Sequence, residues 1–404
     1  MLRAMSRAAG SSQAAAPAGA ELERERPARR EGAARRRPRL LIITPDFPPA
    51  HGGIQVIAHR LAAGLSGFER EVVALDGPGA RAFDANNALV VRRVRAAGSR
   101  PALHNAQLNA LGALHALRFR PQATLCLHPV ASPATLAIRA ALGAPAVQYF
   151  HANEIVGRPR LAAFAARRAD VVIAVSSYTA GLIAATGAAP AALRIIPPGV
   201  DLPPARRSPP CERPTFVTIS RLRDSYKGHD VLVRALELVR ARVPDVQWLV
   251  LGDGPLRTGL EALAREHGVE GSVRFLGAVS DEQRDEWLAR ADLLAMPSRL
   301  PDAGLAGEGF GIVYMEAAAS GKPVVAGDVG GALDAVLDGQ TGLLVDPTDA
   351  LAVAEAITRL LLDRELAGRL GRAGQLRAQE FAWPKIVERV EGVLLEALES
   401  RIGA

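Results

Sequence analysis

The run Asp292-Leu293-Leu294-Ala295-Met296-Pro297-Ser298, followed ten residues on by Glu308-Gly309-Phe310-Gly311-Ile312-Val313-Tyr314-Met315-Glu316, decides how the chain is read. An apolar run of strand length stops at Pro297, a glycine-containing loop follows, and a helical pattern continues into Ala317-Ala318-Ala319. Strand, glycine loop and helix form the repeating unit of a parallel sheet covered on both faces. Glu308 lies in the loop and Glu316 in the helix, eight residues apart. That spacing suits two contacts with one extended ligand rather than an acid pair flanking a single bond. Backbone donors at the helix start between them can meet a phosphate. On spacing alone, a loop acid plus an exposed helical acid remains an open reading.

The same unit recurs on either side. Strands are expected at 215–220, 246–251, 273–276, 323–326 and 342–345, and helices at 229–242, 256–267, 281–290, 349–361, 363–379 and 384–400. The strand at 215–220 is followed by Arg221, Lys227 and Gly228, two cations placed to neutralise a diphosphate or simply to face water. Gly252-Asp253-Gly254-Pro255 joins the next strand to its helix, either as a plain tight turn or as a ligand contact. Residues 197–214 hold seven prolines in eighteen positions, which rules out a helix or a central strand and marks a linker.

Before that linker the rhythm is similar. An apolar run at 40–44 leads into Pro45-Asp46-Phe47-Pro48-Pro49, then Gly52-Gly53 and a helical pattern over 54–65. Paired glycines allow close backbone approach to a ligand, or only a turn. GxGxxG is absent there, which disfavours a dinucleotide site of the usual kind. Further strands are expected at 71–75, 89–94, 124–127, 146–150 and 171–175, with helices at 103–117, 132–142, 160–168 and 177–186. His128 and His151 end two of these strands, and Asn153 and Glu154 follow the second.

The expected organisation is α/β and bilobal. It comprises a disordered Arg-rich tail (1–38), a first Rossmann-like domain (39–196), the proline-rich linker (197–214), a second Rossmann-like domain (215–380), and a C-terminal helix (381–404) crossing back to the first. Ligands of such sheets bind beyond the strands' carboxyl ends, so the site belongs in the cleft between the domains.

Composition agrees. The chain has 404 residues, 49% hydrophobic and 23% charged, enough to bury two cores. Its net charge is +7, but residues 1–39 alone carry ten arginines against four glutamates. The remainder is close to neutral, so no nucleic-acid partner is expected. The tail and Arg92, Arg93, Arg95 and Arg100 could meet an anionic membrane surface, or be ordinary solvated residues. Two cysteines, Cys126 and Cys211, exclude a disulfide scaffold and a thiolate zinc cluster and fit a reducing compartment. The first twenty residues lack a leucine-rich apolar core, and no eighteen-residue apolar run follows. The expected location is cytoplasmic, at most peripheral at the inner membrane face. Lysine is rare, with only Lys227, Lys322 and Lys385.

Together these segments resemble retaining, nucleotide-sugar-dependent glycosyltransferases of family 4, which have the GT-B fold of two Rossmann-like domains facing across a cleft. The likeness runs from about residue 40 to 390. It is sharpest over Glu308–Glu316, Gly321-Lys322-Pro323-Val324-Val325, Gly330-Gly331 and Gly342-Leu343-Leu344-Val345. The Asp46-Phe47-Pro48-Pro49 and Gly52-Gly53-Ile54-Gln55 runs look most like bacterial phosphatidylinositol mannoside mannosyltransferases.

The resemblance implies roles. Arg221 and Lys227 would hold the donor diphosphate, with Gly53 facing it from the other lobe. Glu316 would take the ribose hydroxyls and Glu308 those of the transferred sugar. Gly309, Phe310, Gly311 and Ile312 would offer backbone amides. Gly252 would permit close approach near the nucleotide, and Arg274, Phe275 and Leu276 would border the base. His151, Gly52 and Asp46 would lie on the acceptor side, and His151, Arg221, Lys227 and Glu308 would carry the chemistry. The donor is a substrate, and no cofactor or metal is implied. The expected reaction transfers a hexose, mannose from GDP-mannose foremost, to a glycolipid or glycan hydroxyl. Three alternatives stay open: a UDP-sugar-dependent glucosyl or N-acetylglucosaminyl transferase, a nucleotide-sugar epimerase, and a nucleotide-sugar binding module without turnover. The Glu308–Glu316 arrangement argues against the epimerase. The Asp224-Ser225-Tyr226 stretch between the two cations departs from the pattern.

Overall fold

The computed structural model describes residues 36–50, 52–95, 101–203, 209–301 and 306–402. Within Arg37–Ala404, which forms one compact unit, two parallel sheets are present. The first contains β1 (Arg39–Thr44), β2 (Glu69–Leu75), β3 (Val90–Val94), β4 (Ala123–Cys126), β5 (Ala146–Phe150), β6 (Val171–Ala174) and β7 (Leu193–Ile195), in the order β3-β2-β1-β4-β5-β6-β7. The second contains β8 (Thr215–Ile219), β9 (Gln247–Leu251), β10 (Val273–Gly277), β11 (Leu293–Met296), β12 (Val324–Gly327) and β13 (Gly342–Val345), in the order β10-β9-β8-β11-β12-β13. Both are Rossmann-like sheets.

The central strands are apolar on both faces because helices cover both faces. Leu40, Leu41, Ile42 and Ile43 are fully buried, as are Phe216 and Val217 on β8. Two polar side chains that enter the core of the second sheet pair with one another. Trp248 Nε1–H donates to Thr218 Oγ1 at 2.9 Å, and the threonine hydroxyl donates to the Ala295 carbonyl at 2.6 Å.

Strand order reverses between β1 and β4 in the first sheet and between β8 and β11 in the second. Chain segments leaving such neighbours diverge, opening a crevice at their carboxyl ends. The loops that enter the crevices are the Pro45–Gly53 region after β1 and Ser220–Lys227 after β8. The segment that reaches Glu308 follows β11.

The final helix, Trp383–Ile402, comes after the second sheet yet packs on the helix Gly53–Gly64 of the first. Small residues let it approach. A Cβ on Gly64 would lie 2.5 Å from Val387 Cγ2, and one on Gly199 would lie 2.4 Å from the Trp383 ring. Ile386, Val390 and Leu394 on this helix are fully buried, and each contributes about 1.5–3 kcal/mol by leaving water.

Some features differ from expectation. Order begins before Arg39, because the Pro38 carbonyl accepts the Glu69 N–H at 3.0 Å and so anchors the end of the expected tail. The rest of that tail, residues 1–35, and Arg100 lie outside the described residues. The edge strand β7 and the short helices Ala80–Ala85 and Asn153–Gly157 went unread. All three residues of β7 are exposed, so it carries no apolar alternation to read.

Candidate active site

A cleft of about 770 Å³ opens between the two sheets, within the usual range for small-molecule sites. Both lobes line it. The first contributes Gly52, Gly53, Arg60, His151, Asn153 and Glu154, and the second contributes Arg221, Lys227, Arg284, Glu308 and Glu316 among others. Gly309, Phe310, Gly311 and Ile312 line it as well.

Lys227 ends a single 3₁₀ turn, Ser225–Lys227, that opens onto Gly228. The Asp224-Ser225-Tyr226 departure builds this turn. Tyr226 is buried, its carbonyl accepts the Arg299 N–H at 2.8 Å, and Lys227 Nζ lies 5.1 Å from the centre of its ring. Gly228 is required at the end of the turn. Its φ is +79°, and a Cβ there would sit 2.2 Å from the Pro297 carbonyl oxygen. Lys227 Nζ donates to Glu308 Oε2. Burial alone would pull this ammonium down, but the Glu308 carboxylate more than offsets it and leaves the lysine above its ordinary value.

Glu308 is on the loop as expected, and the helix begins later, at Ile312. Glu316 stands on that helix and meets Arg284 on a neighbouring helix of the same lobe, Oε1 to Nη1 at 3.3 Å. Burial pushes the Glu316 carboxyl up, and Arg284 only partly reverses this.

The loop carrying Glu308 is gripped by the opposite lobe. Ser176 Oγ–H donates to the Gly309 carbonyl at 2.6 Å, and Tyr178 O–H donates to the Ala306 carbonyl at 2.5 Å. The Ala306 N–H donates to Asn153 Oδ1 at 2.8 Å. A Cβ on Gly309 would lie 2.1 Å from the His151 carbonyl oxygen, so the lobes touch here backbone to backbone.

His151 occupies a strained corner. Ala152 beside it has φ +129°, a region alanine adopts at a cost of about 1–3 kcal/mol. The surrounding bonds hold it there. Glu154 Oε1 accepts the His151 N–H at 2.5 Å, and the ring Nε2 lies 2.9 Å from the Leu127 carbonyl. A carbonyl only accepts, so Nε2 carries the proton and Nδ1 is left as an acceptor. Nδ1 is buried without a partner among the described residues.

Other expected site residues lie elsewhere. Gly252 does not line the cleft. A Cβ there would fall 1.9 Å from the Ser220 carbonyl oxygen, so the glycine serves close packing of two strand ends. Arg274, Phe275 and Leu276 also lie outside the lining. They belong to β10, the edge strand, where Arg274 faces solvent and Phe275 packs against Trp248 and Arg257. Asp46 is outside it too, bonded to Gln55 Nε2 at 3.0 Å. Among the described residues, no group of three or more His, Cys, Asp or Glu side chains is arranged to hold a metal ion.

The sequence reading missed Arg284, Asp281, Arg60 and Asp201, which all line the cleft. Arg60 and Asp201 pair at 2.5 Å.

Residues 204–377 match the family Glycosyl transferases group 1, and residues 51–203 match Glycosyltransferase Family 4. The GDP-mannose-dependent alpha-(1-6)-phosphatidylinositol monomannoside mannosyltransferase of Mycobacterium tuberculosis is 37% identical over 364 residues, covering 83% of this chain and 92% of that protein. The chain belongs to glycosyltransferase family 4. A protein of the same description from Mycolicibacterium smegmatis is 38% identical over 362 residues, with 83% and 92% covered. The solved sucrose-phosphate synthase of Thermosynechococcus elongatus superposes with a TM-score of 0.75 at 22% identity, covering 90% of this chain and all of that one. That likeness establishes the GT-B fold. The family 4 chain is therefore a nucleotide-sugar-dependent hexosyltransferase with its cleft between two Rossmann-like lobes.

Proposed function

We propose that this glycosyltransferase moves mannose from GDP-mannose to a hydroxyl of an inositol-containing glycolipid, with retention at the anomeric carbon. The supporting observation is the convergence of Arg221, Lys227, Glu308 and Glu316 on one cleft from the segments after β8 and β11. The donor and acceptor follow the mannosyltransferase relatives, which the chain matches over most of its length.

In this reading Arg221 and Lys227 bind the diphosphate, with Gly53 and the amides at the start of the helix Ile312–Ala319 beside it. Glu316 accepts from the ribose hydroxyls and Glu308 from those of the sugar. The C1–O bond to the diphosphate breaks, and negative charge grows on the leaving phosphate. The two cations and the helix start stabilise that charge, so the step is metal-independent. The acceptor oxygen bonds to C1 on the same face, and its proton passes to the departing phosphate oxygen. His151 Nδ1 accepts a hydrogen bond from a hydroxyl near the reacting carbon. The contacts of Ser176 and Tyr178 with the 306–309 loop keep the cleft closed and exclude water.

The acceptor lobe also carries an exposed apolar face. Leu103, Leu111, Leu114 and Leu117 on the helix Pro101–Phe119 are 45–59% exposed, and Arg118 and Arg120 are exposed at its end. This face rests on an anionic bilayer, with leucines in the headgroup region and arginines on phosphates. No helix among the described residues is long and apolar enough to cross a membrane.

The test is a panel of GDP- and UDP-sugars, reading nucleoside diphosphate release, followed by mass spectrometry with a lipid extract as acceptor. GDP-mannose turnover with a hexose added to an inositol lipid supports the assignment. Preferred turnover of a UDP-sugar, or an epimerised donor without transfer, overturns it.

A further inference from the structure

Arg284 was invisible to the sequence reading, yet it stands at the junction of four charged groups. It lies on the helix Asp281–Arg290 and is 20% exposed. Its Nη1 donates to Asp281 Oδ1 at 2.8 Å, and its Nη2 and Nε donate to Asp285 Oδ1 at 2.8 and 2.9 Å. The same Nη1 lies 3.3 Å from Glu316 Oε1. Arg284, Asp281 and Glu316 all line the cleft.

We infer that Arg284 is the positioning residue of the donor site: clamped by Asp281 and Asp285, it holds the Glu316 side chain toward the ribose hydroxyls. The inference rests on the donor reading given above.

Glu316 cannot do this unaided. Tyr314, Met315 and Ala317, its neighbours on the helix, are buried, and its own side chain is only 21% exposed. Burial favours the neutral acid there, and Asp285, Asp281 and Asp201 push the same way. Arg284 is the cation that opposes them. A guanidinium is suited to the task because its planar fork satisfies several carboxylates at once, whereas a lysine keeps the positive charge beside Glu316 without the fork. The two aspartates on its own helix fix the fork, so its contact with Glu316 is oriented before ligand arrives. A carboxylate accepts from two vicinal hydroxyls more strongly than a neutral acid does.

The test is calorimetric titration of GDP and of its 2′,3′-dideoxy analogue into the full chain near pH 8 and near pH 5.5. Wild type is compared with Arg284→Gln and Arg284→Lys. Without Arg284 the Glu316 carboxyl rises further, so it becomes neutral at a higher pH. Arg284→Gln is therefore expected to bind GDP within about threefold of wild type at the higher pH and about tenfold or more weaker at the lower. Arg284→Lys should recover most of the acid-side loss. The dideoxy analogue should bind wild type and both variants alike at either pH. No loss at either pH, or a loss that persists with the dideoxy analogue, overturns the positioning role. If Arg284→Gln does not fold, Arg284→Met takes its place and is judged by the same outcomes. Failure of wild type to bind GDP or UDP at any pH overturns the donor reading itself along with the inference.

Discussion

Lys227 and Glu308 form a half-buried ion pair lining the cleft, with side chains 15% and 13% exposed. They come from the loops after β8 and β11, the strands that flank the reversal of order in the second sheet. If Lys227 holds the donor diphosphate as proposed, the incoming diphosphate competes with Glu308 for the lysine and frees that carboxylate for the sugar. Lys227→Ala should lower the transfer rate about a hundredfold or more, as loss of one charge-stabilising donor does. Single-turnover kinetics with saturating donor measure this, and a wild-type rate would contradict phosphate stabilisation by Lys227.

Glu316→Ala acts on binding. On the proposed ribose contact, it removes charged hydrogen bonds worth about 1.5–3 kcal/mol, so donor affinity should fall at least tenfold. Calorimetry with GDP checks this. Unchanged affinity would remove Glu316 from the donor site.

The two lobes meet where Gly309 faces the His151 carbonyl. Gly309→Ala places a methyl group 2.1 Å from that oxygen, so the lobes must separate or the 306–309 loop must shift. The expected outcome is loss of transfer, with a lower melting temperature because one buried apolar cluster joins residues of both lobes. Small-angle scattering should show a more open molecule. Full activity in this variant would mean that the contact is not part of the working state.

Much of this arrangement could be read from the sequence, and the parts that could not share physical causes. Parallel strands buried on both faces appear as plain apolar runs, so Leu40–Ile43 and Leu293–Met296 announced themselves. β7 did not, because an exposed three-residue edge strand has no core face. Lys227 stood out in an arginine-rich chain, and Glu308 and Glu316 stood out by their glycine setting. Arg284 lacked any such mark. Its importance comes from a contact with Glu316, 32 residues away, created when two helices of the second lobe converge on the cleft. Gly252 is a different case. A glycine after a strand looks like space for a ligand, but here that space is filled by the Ser220 backbone.

Stability should depend on pH through His229. Burial, aided by Lys227 and opposed by Asp230, holds its imidazole down at about 4. Ser220 Oγ bonds to Nε2 at 3.1 Å, and Nδ1 has no partner among the described residues. The unfolded chain binds a proton at this residue below about pH 6.5 while the folded chain does not. Folding free energy should therefore decline as pH falls from about 6.5 to about 4, by roughly 3 kcal/mol from this residue. Denaturant titrations across that range should show the slope, and His229→Gln should flatten it. An equal slope in the variant would assign the effect to other groups.

The most direct measurement of the central claim is mass spectrometry of an inositol mannolipid acceptor incubated with GDP-mannose and the wild-type protein, with Lys227→Ala alongside. The account predicts one added hexose per acceptor, matched by released GDP, in the wild type and almost none in the variant. GDP release without a change in acceptor mass, or equal product from both proteins, would contradict it.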